Sequence, residues 1–305
     1  MPSVHALGEV ALIDRLTRRL GVVRRGRGVQ IGIGDDAAVL RGSGRQLLLF
    51  ASDMIVDGVH FRRETVPARW IGWKALAANV SDIAAMGGRP LAAVVSLGVP
   101  PATTARFLED LYGGIARCAK RFRLSVIGGD TVRAPRVVVD VAILGTVKRR
   151  HLTLRSGARV GDRLFVTGRL GGSLKSGRHA RFMPRVREAQ ALVRRVKVHA
   201  MMDLSDGLAS DLWQMSRASR VVLRIRRTAV PVARAAGSIE HALMDGEDFE
   251  LLFAVSRRDA ARVPGRIGSC PVTRIGAAVA RGVAVEQEGP NGRIRPLIPT
   301  GFKHF

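Results

Sequence analysis

Gly72-Trp-Lys-Ala-Leu-Ala-Ala-Asn79-Val-Ser81-Asp82-Ile-Ala-Ala-Met-Gly87-Gly88 reads as a helix that delivers one carboxylate into surroundings of small side chains. Trp73, Leu76, Val80 and Ile83 recur at steps of three and four, the amphipathic helical period. Gly87-Gly88 and Pro90 supply the stop. Asp82 falls off the apolar stripe, beside Asn79 and Ser81, and the alanines around it allow another backbone or a ligand to come close. Taken alone, it reads equally well as a solvated surface charge.

Its company removes that ambiguity. The chain carries 50 Lys+Arg against 25 Asp+Glu, yet several windows hold acids almost without bases: Gly32-Ile-Gly-Asp35-Asp36-Ala, Ala51-Ser52-Asp53-Met-Ile-Val-Asp57-Gly58, Ile127-Gly128-Gly129-Asp130-Thr131, Met202-Asp203-Leu-Ser205-Asp206-Gly207 and Asp245-Gly246-Glu247-Asp248. Each sets Asp beside Gly, Ser or Thr after an apolar run, the context of a strand end or helix start, where ligands meet backbone.

A length of 305 residues suits two domains, and 47% hydrophobic residues suffice for a core in each. The first 20 residues contain Glu9 and Asp14 and do not read as a signal peptide, and no uncharged apolar run approaches the ~18 residues of a membrane span. Cys118 and Cys270 are isolated, without metal-ligand or disulfide spacing, which fits a reducing cytoplasm. The net charge of +25 invites a nucleic-acid reading through counterion release. Against it, the bases are scattered, only one Tyr and three Trp are present, and no recognised binding motif appears. A basic exterior also serves to steer an anionic substrate.

Along the chain, residues 7–20 are expected to form a helix capped by Gly21, and 29–33 a short strand. Gly32-Ile-Gly34-Asp35-Asp36-Ala37 formally matches the loose dinucleotide fingerprint, but two acids where a pyrophosphate would sit repel it, and no typical helix follows. Residues 46–52 alternate into a strand, with Asp53, Asp57 and His60 after it. A second helix over 103–121 has Thr103 or Thr104 as its N-cap, and 136–147 reads as a strand buried on both faces. The first domain ends near Arg150, giving domains at 1–150 and 151–305. In the second, Ser205 caps a helix carrying Leu208, Leu212 and Met215 within an alternating αβ pattern. The Gly-rich, then basic, stretch 170–200 yields no function from its pattern.

If Asp36, Asp53, Asp82, Asp130, Asp203 and Asp206 converge, each ionised pair repels by roughly 4 kcal/mol at 4 Å near a protein surface. Divalent cations offset this. Carboxylates without accompanying Cys or His suit Mg²⁺, which binds one or two of them together with substrate phosphates. A nucleoside triphosphate is the natural counter-ligand, although neither a P-loop nor the protein-kinase motif set is present.

The ordered set Gly32-Ile-Gly-Asp-Asp-Ala, Ser52-Asp53, Asn79-Val-Ser-Asp82-Ile-Ala-Ala-Met-Gly, Gly128-Gly-Asp-Thr, Asp203-Leu-Ser-Asp-Gly-Leu and Gly246-Glu-Asp-Phe-Glu-Leu closely resembles the thiamine-monophosphate kinase family. Its wider superfamily includes aminoimidazole ribonucleotide synthetase, selenophosphate synthetase and a hydrogenase-maturation factor. The resemblance runs from the Gly8-Glu9 helix to Gly301-Phe302. It implies a two-domain α/β (α+β) fold, with an N-terminal mixed sheet that pairs across a homodimer and a C-terminal αβ domain. It also implies ATP-dependent phosphorylation of thiamine phosphate to thiamine diphosphate. By motif position, several Mg²⁺ ions fall to Asp36, Ser52, Asp53, Asp82, Asp130, Asp203 and Asp206. ATP falls to Gly129, Asp130, Arg155 and Ser205, and thiamine phosphate to His60 and Glu247. The acceptor is already an anionic phosphate, so no side-chain nucleophile is expected and catalysis reduces to alignment and charge neutralisation.

Three departures from the family pattern bear on recognition of the thiamine rings. The chain is shortened between Gly172 and His179, Pro299 stands where an aromatic is usual, and Ala51 replaces a common Ser or Thr. Phe302 is a candidate substitute for the missing aromatic. Two alternatives remain at this stage. A superfamily relative would use ATP on another small acceptor. A basic nucleic-acid-binding protein would be indifferent to Asp82→Asn.

Overall fold

The computed structural model describes His5, residues 9–19 and residues 28–299, which divide between a helix α1 (Glu9–Arg19) and two mixed-sheet domains. The first sheet collects β1 (Val29–Ile31), β2 (Ala38–Arg41), β3 (Gln46–Val56), β4 (Arg89–Val99), β5 (Ser125–Arg133) and β6 (Val138–Lys148), in the order β1-β2-β3-β6-β4-β5. Helix α2 (Ala68–Ala85) precedes β4, and α3 (Ala105–Phe122) joins β4 to β5, the crossover that their parallel pairing requires. The second sheet collects β7 (Arg163–Thr167), β8 (Val198–Asp203), β9 (Val221–Arg226), β10 (Leu251–Val255), β11 (Arg266–Ile267), β12 (Cys270–Arg281), β13 (Ala284–Glu288) and β14 (Ile294–Pro296). Its order is β14-β13-β9-β12-β7-β10-β8, with β11 beside β12. Helices α4 (Val186–Arg195), α5 (Leu208–Ser219), α6 (Ile239–Met244) and α7 (Arg257–Ala260) complete this half. Among the described residues no helix is long and apolar enough to cross a membrane.

Helix α2 is buried nearly all round rather than amphipathic, which corrects the reading from its apolar stripe. The first sheet covers one side, α3 another, and α4 with β8 of the second domain a third. Small side chains make this possible. A Cβ on Gly72 would lie 1.9 Å from the Leu111 carbonyl oxygen, and one on Gly114 1.9 Å from that of Arg69, so α2 and α3 touch backbone to backbone. The helix stops in a Schellman motif: Gly88 N–H donates to Ile83 O at 2.8 Å and Gly87 N–H to Ala84 O at 2.9 Å, with Gly87 at φ +70°. Thr104 caps α3, its hydroxyl accepting from Phe107 N–H. Gly72→Ala is expected to cost about 3 kcal/mol, because neither backbone can retreat without moving a whole helix; the urea unfolding midpoint reads this, and an unchanged midpoint would contradict the close crossing.

The first sheet has one covered and one open face. Along β6, Val139, Val141, Ile143 and Val147 are buried while Asp140, Ala142 and Leu144 are half-exposed, so this strand is not buried on both faces. Its neighbour β3 runs on to Val56, paired with Val138, so Asp53 sits inside the strand rather than after it. Gly128-Gly129-Asp130-Thr131 likewise lies within β5, every residue of which is exposed. The open face carries Phe50 and Met54, 48% and 54% exposed.

The basic stretch after Gly172 packs by ion pairing. Arg178 pairs with Asp248 and Glu250, and Arg185 grips both oxygens of Glu250 at 2.5 and 2.6 Å. Both carboxylates are almost fully buried. These contacts seat Phe182 and Phe249, from the second half of the chain, in the core of the first domain.

Candidate active site

Because β8 and α4 pack on α2, Asp203 at the end of β8 arrives beside Ser81 and Asp82. Ser81 Oγ donates to Asp203 Oδ2 at 2.5 Å. The loop before β2 brings a third acid, and oxygen atoms of Asp36, Asp82 and Asp203 all lie within 4.8 Å of one another. Two are buried and Asp82 is half-buried.

One guanidinium organises the rim. Arg155 gives Nε and Nη2 to Asp36 Oδ1 at 2.9 and 2.6 Å, and Nη1 to Gln214 Oε1 at 2.6 Å. Its backbone N–H reaches both oxygens of Asp35, and Gln214 passes the chain on to Asp206 Oδ2 at 2.9 Å. Asp36 Oδ2 is buried and has no hydrogen-bond partner among the described residues.

Crowded acids hold their protons. Burial, then the charges of Asp53, Asp203 and Asp36, pushes Asp82 well above the usual carboxylate range. Burial and Asp36 push Asp203 up to about 8, and burial and Asp36 push Asp35 up to about 7. Burial also raises Asp53, with a hydrogen bond to the Asp82 carboxyl opposing it. Between the unfolded value near 3.8 and these folded values, the folded protein binds more protons than the unfolded chain, so its stability falls as pH rises. In chelator, wild type is expected to lose a few kcal/mol relative to Asp203→Asn between pH 5 and about 8, and then to level off. Thermal unfolding of the two proteins across that interval checks this, and a constant difference would contradict it.

A second group lies about two turns before Asp82 along α2. Lys74 Nζ donates to Glu247 Oε1 at 2.5 Å and to the His60 carbonyl oxygen at 2.6 Å. His60 Nδ1 accepts from Val56 N–H at 3.1 Å, which puts the proton of a neutral imidazole on Nε2. Glu247 N–H donates to the Ser205 carbonyl, so the 245–250 loop lies directly on the 203–207 segment. Ser205 does not cap α5; Gly207 holds that position at φ +105°.

Of the residues expected from sequence, Asp36, Asp82 and Asp203 come together, Asp53 adjoins them, and His60 and Glu247 meet through Lys74. Ser52 belongs to the opposite face of β3 and donates to Asp140 at 3.0 Å. Ser96 on β4 is the strand partner of both Asp140 and Asp130, which places Asp130 in that open-face row and not in the three-carboxylate group. Gly129 presses against β4, where a Cβ would lie 1.8 Å from Val95 O. Beside it is an open depression of about 420 Å³ lined by Val95, Tyr112, Val126, Gly129 and Asp130.

Sequence reasoning missed Lys74, Asn79, Asp140, Asp211 and Gln214. Asn79 Oδ1 accepts from Asp53 N–H, tying α2 to β3. Asp211 is fully buried, raised by burial and by Asp206, with one oxygen unpartnered. A signal existed for two of these: Asp140 interrupts an apolar strand, and Lys74 is the single cation in the stretch 72–88.

Two family models cover the chain: the N-terminal domain of AIR synthase related proteins matches residues 34–147, and the C-terminal domain matches 159–287. A thiamine-monophosphate kinase of Rhodopirellula baltica is 40% identical over 294 residues, covering 90% of this chain and 92% of that protein. The thiamine-monophosphate kinase of Bacillus subtilis is 35% identical, over 81% and 85%. A solved structure described as AaThiL complexed with AMPPCP and TMP superposes with a TM-score of 0.86 at 29% identity, over 100% of this chain and 99% of that one.

Proposed function

Because the chain belongs to the thiamine-monophosphate kinase family within the AIR synthase related proteins, we infer that it transfers the γ-phosphoryl group of ATP to thiamine phosphate, forming thiamine diphosphate. The observation that carries this reading is the convergence of Asp36, Asp82 and Asp203, contributed by both domains, with a buried oxygen of Asp36 unpartnered. Such an oxygen, in an all-carboxylate set, fits a hard divalent cation.

We assign Mg²⁺ to Asp36, Asp53, Asp82 and Asp203, with Ser52, Asp130 and Asp206 extending the set toward the open face of the first sheet and the start of α5. When bound, Mg²⁺ neutralises triphosphate charge as the phosphoryl group moves. Arg155 and Ser205 meet ATP at the rim of this group, and Gly129 with Asp130 meets it on β5. His60 and Glu247 hold thiamine phosphate about two turns before Asp82 along α2. The attacking atom is an anionic phosphate oxygen, so the protein's part is to bind, orient and exclude water, and no side chain need remove a proton.

The working form we propose is a homodimer paired through the first sheet. Its open face presents Phe50, Met54, Ile127 and Val132 to solvent, and β5 is a long exposed edge strand, a surface that proteins normally cover. A monomer in sedimentation equilibrium would remove this part. A reducing cytoplasm is the proposed setting, consistent with two buried, unpaired thiols.

The direct experiment incubates the protein with ATP, Mg²⁺ and thiamine phosphate and separates the products by chromatography. Thiamine diphosphate and ADP in equal amounts are expected. ADP without thiamine diphosphate would point to another small acceptor.

A further inference from the structure

Lys74 heads the large side chains that are fully buried among the described residues, at 1% exposure. An ammonium so placed must be held by acceptors, and burial pushes its pKa down while Glu247 opposes that shift. Its two acceptors come from opposite ends of the chain: the His60 carbonyl in the turn after β3, and Glu247 Oε1 in the 245–250 loop of the second domain. This one side chain therefore fixes both residues assigned above to thiamine phosphate.

Glu247 is constrained on every side but one. Its backbone is left-handed at φ +63°, and that of Phe249 at +49°, a region that non-glycine residues rarely adopt. Its N–H is taken by Ser205 O at 2.6 Å. Phe249 stacks on Phe182, whose carbonyl accepts from Trp73 Nε1 at 2.8 Å, so the neighbour of Lys74 on α2 clamps the same loop. Glu247 Oε2 is buried and has no hydrogen-bond partner among the described residues, although the side chain as a whole is 21% exposed. A carboxylate oxygen shielded from water without a donor is costly unless a ligand brings one.

We propose that Lys74 is a positioning residue for the acceptor substrate: by occupying Glu247 Oε1 it leaves Oε2 as the one oxygen aimed at the substrate, there to accept a hydrogen bond from an amino group on a heteroaromatic ring. The assignment rests on the functional reading above, since it takes thiamine phosphate as the ligand of Glu247. The ammonium also gives Glu247 Oε1 a charged donor, which a neutral residue of the same length cannot do.

The test is steady-state kinetics of the full chain with thiamine phosphate and with oxythiamine phosphate, whose ring carries an oxo group in place of the amino group. Lys74→Met is expected to raise KM for thiamine phosphate on the order of tenfold, to lower kcat by less, and to leave KM for ATP within about twofold. The preference for thiamine phosphate over oxythiamine phosphate should shrink by a similar factor. Because Lys74 acts through Glu247, Lys74→Met combined with Glu247→Gln should cost no more than the worse single variant. Should Lys74→Met not fold, Lys74→Gln keeps a donor, drops the charge and carries the same expectation for the two KM values. Equal changes in both KM values, no change in either, an undiminished preference, or additive losses in the double variant would overturn the assignment. Absence of thiamine diphosphate from wild-type reactions would overturn the functional reading and Lys74 with it. Its presence, with unaltered variants, would overturn Lys74 alone.

Discussion

An Asp82→Asn variant is expected to fold, to be more stable than wild type in the absence of metal, and to lose turnover on the order of 10³-fold. The argument for stability is electrostatic. Asp82 stands within 4.8 Å of Asp36 and Asp203, and each ionised pair at that spacing repels by about 3 kcal/mol at an effective dielectric of 20. In the folded protein Asp82 meets this cost either as repulsion or by taking up a proton, and Asn, with nearly the same shape and no charge, removes both without opening a cavity in α2. The argument for activity runs the other way, because the same repulsion is what gives the site its affinity for cations, and a neutral amide forfeits it. Unfolding scans with and without Mg²⁺, beside kcat, separate the two effects: Mg²⁺ should raise the wild-type midpoint and move the variant little. A variant as active as wild type, or one destabilised in chelator, would contradict this reading.

Arg155 is the second position where a single change should be severe. Its guanidinium makes two bonds to Asp36 and one to Gln214, while its backbone binds Asp35. Asp36 has no exposed side-chain surface. Arg155→Met leaves that carboxylate among its acidic neighbours with no counter-charge and is expected to cost about 3 kcal/mol. Arg155→Lys keeps the charge but offers one nitrogen where the fork supplies three, so the link to Gln214 and Asp206 is lost. A fall of roughly 10- to 100-fold in kcat/KM for ATP is expected for the Lys variant. Urea unfolding of the first variant and kinetics of the second check these values, and wild-type behaviour from Arg155→Lys would show that charge alone suffices.

The alternation of apolar and polar residues was enough to expect two αβ halves, and the pairing of Asp with Gly and Ser singled out Asp36, Asp82 and Asp203 for a common site. Those residues stand at loop starts and helix positions where local sequence limits the geometry. The rest depended on contacts remote in sequence. Asp53 looks like a residue after a strand until β6 is seen to pair as far as Val56. The stripe on α2 looks amphipathic until a second domain covers its other side. Lys74 reads as an ordinary helix cation because its acceptors lie 14 and 173 positions away. The exposed aromatic and aliphatic side chains of β3 and β5 look like core until the sheet is seen to have only one covered face. Pro299 is half-buried near the end of the described chain, and Phe302, the candidate substitute for the missing aromatic, lies outside the described residues.

The most direct test of the gathered carboxylates is anomalous diffraction from crystals grown with Mn²⁺ and a non-hydrolysable ATP analogue. The expected map has metal peaks at bonding distance, about 2.1 Å, from oxygens of Asp36, Asp82 and Asp203. Metal bound elsewhere on the chain, with these three carboxylates uncoordinated, would contradict the account.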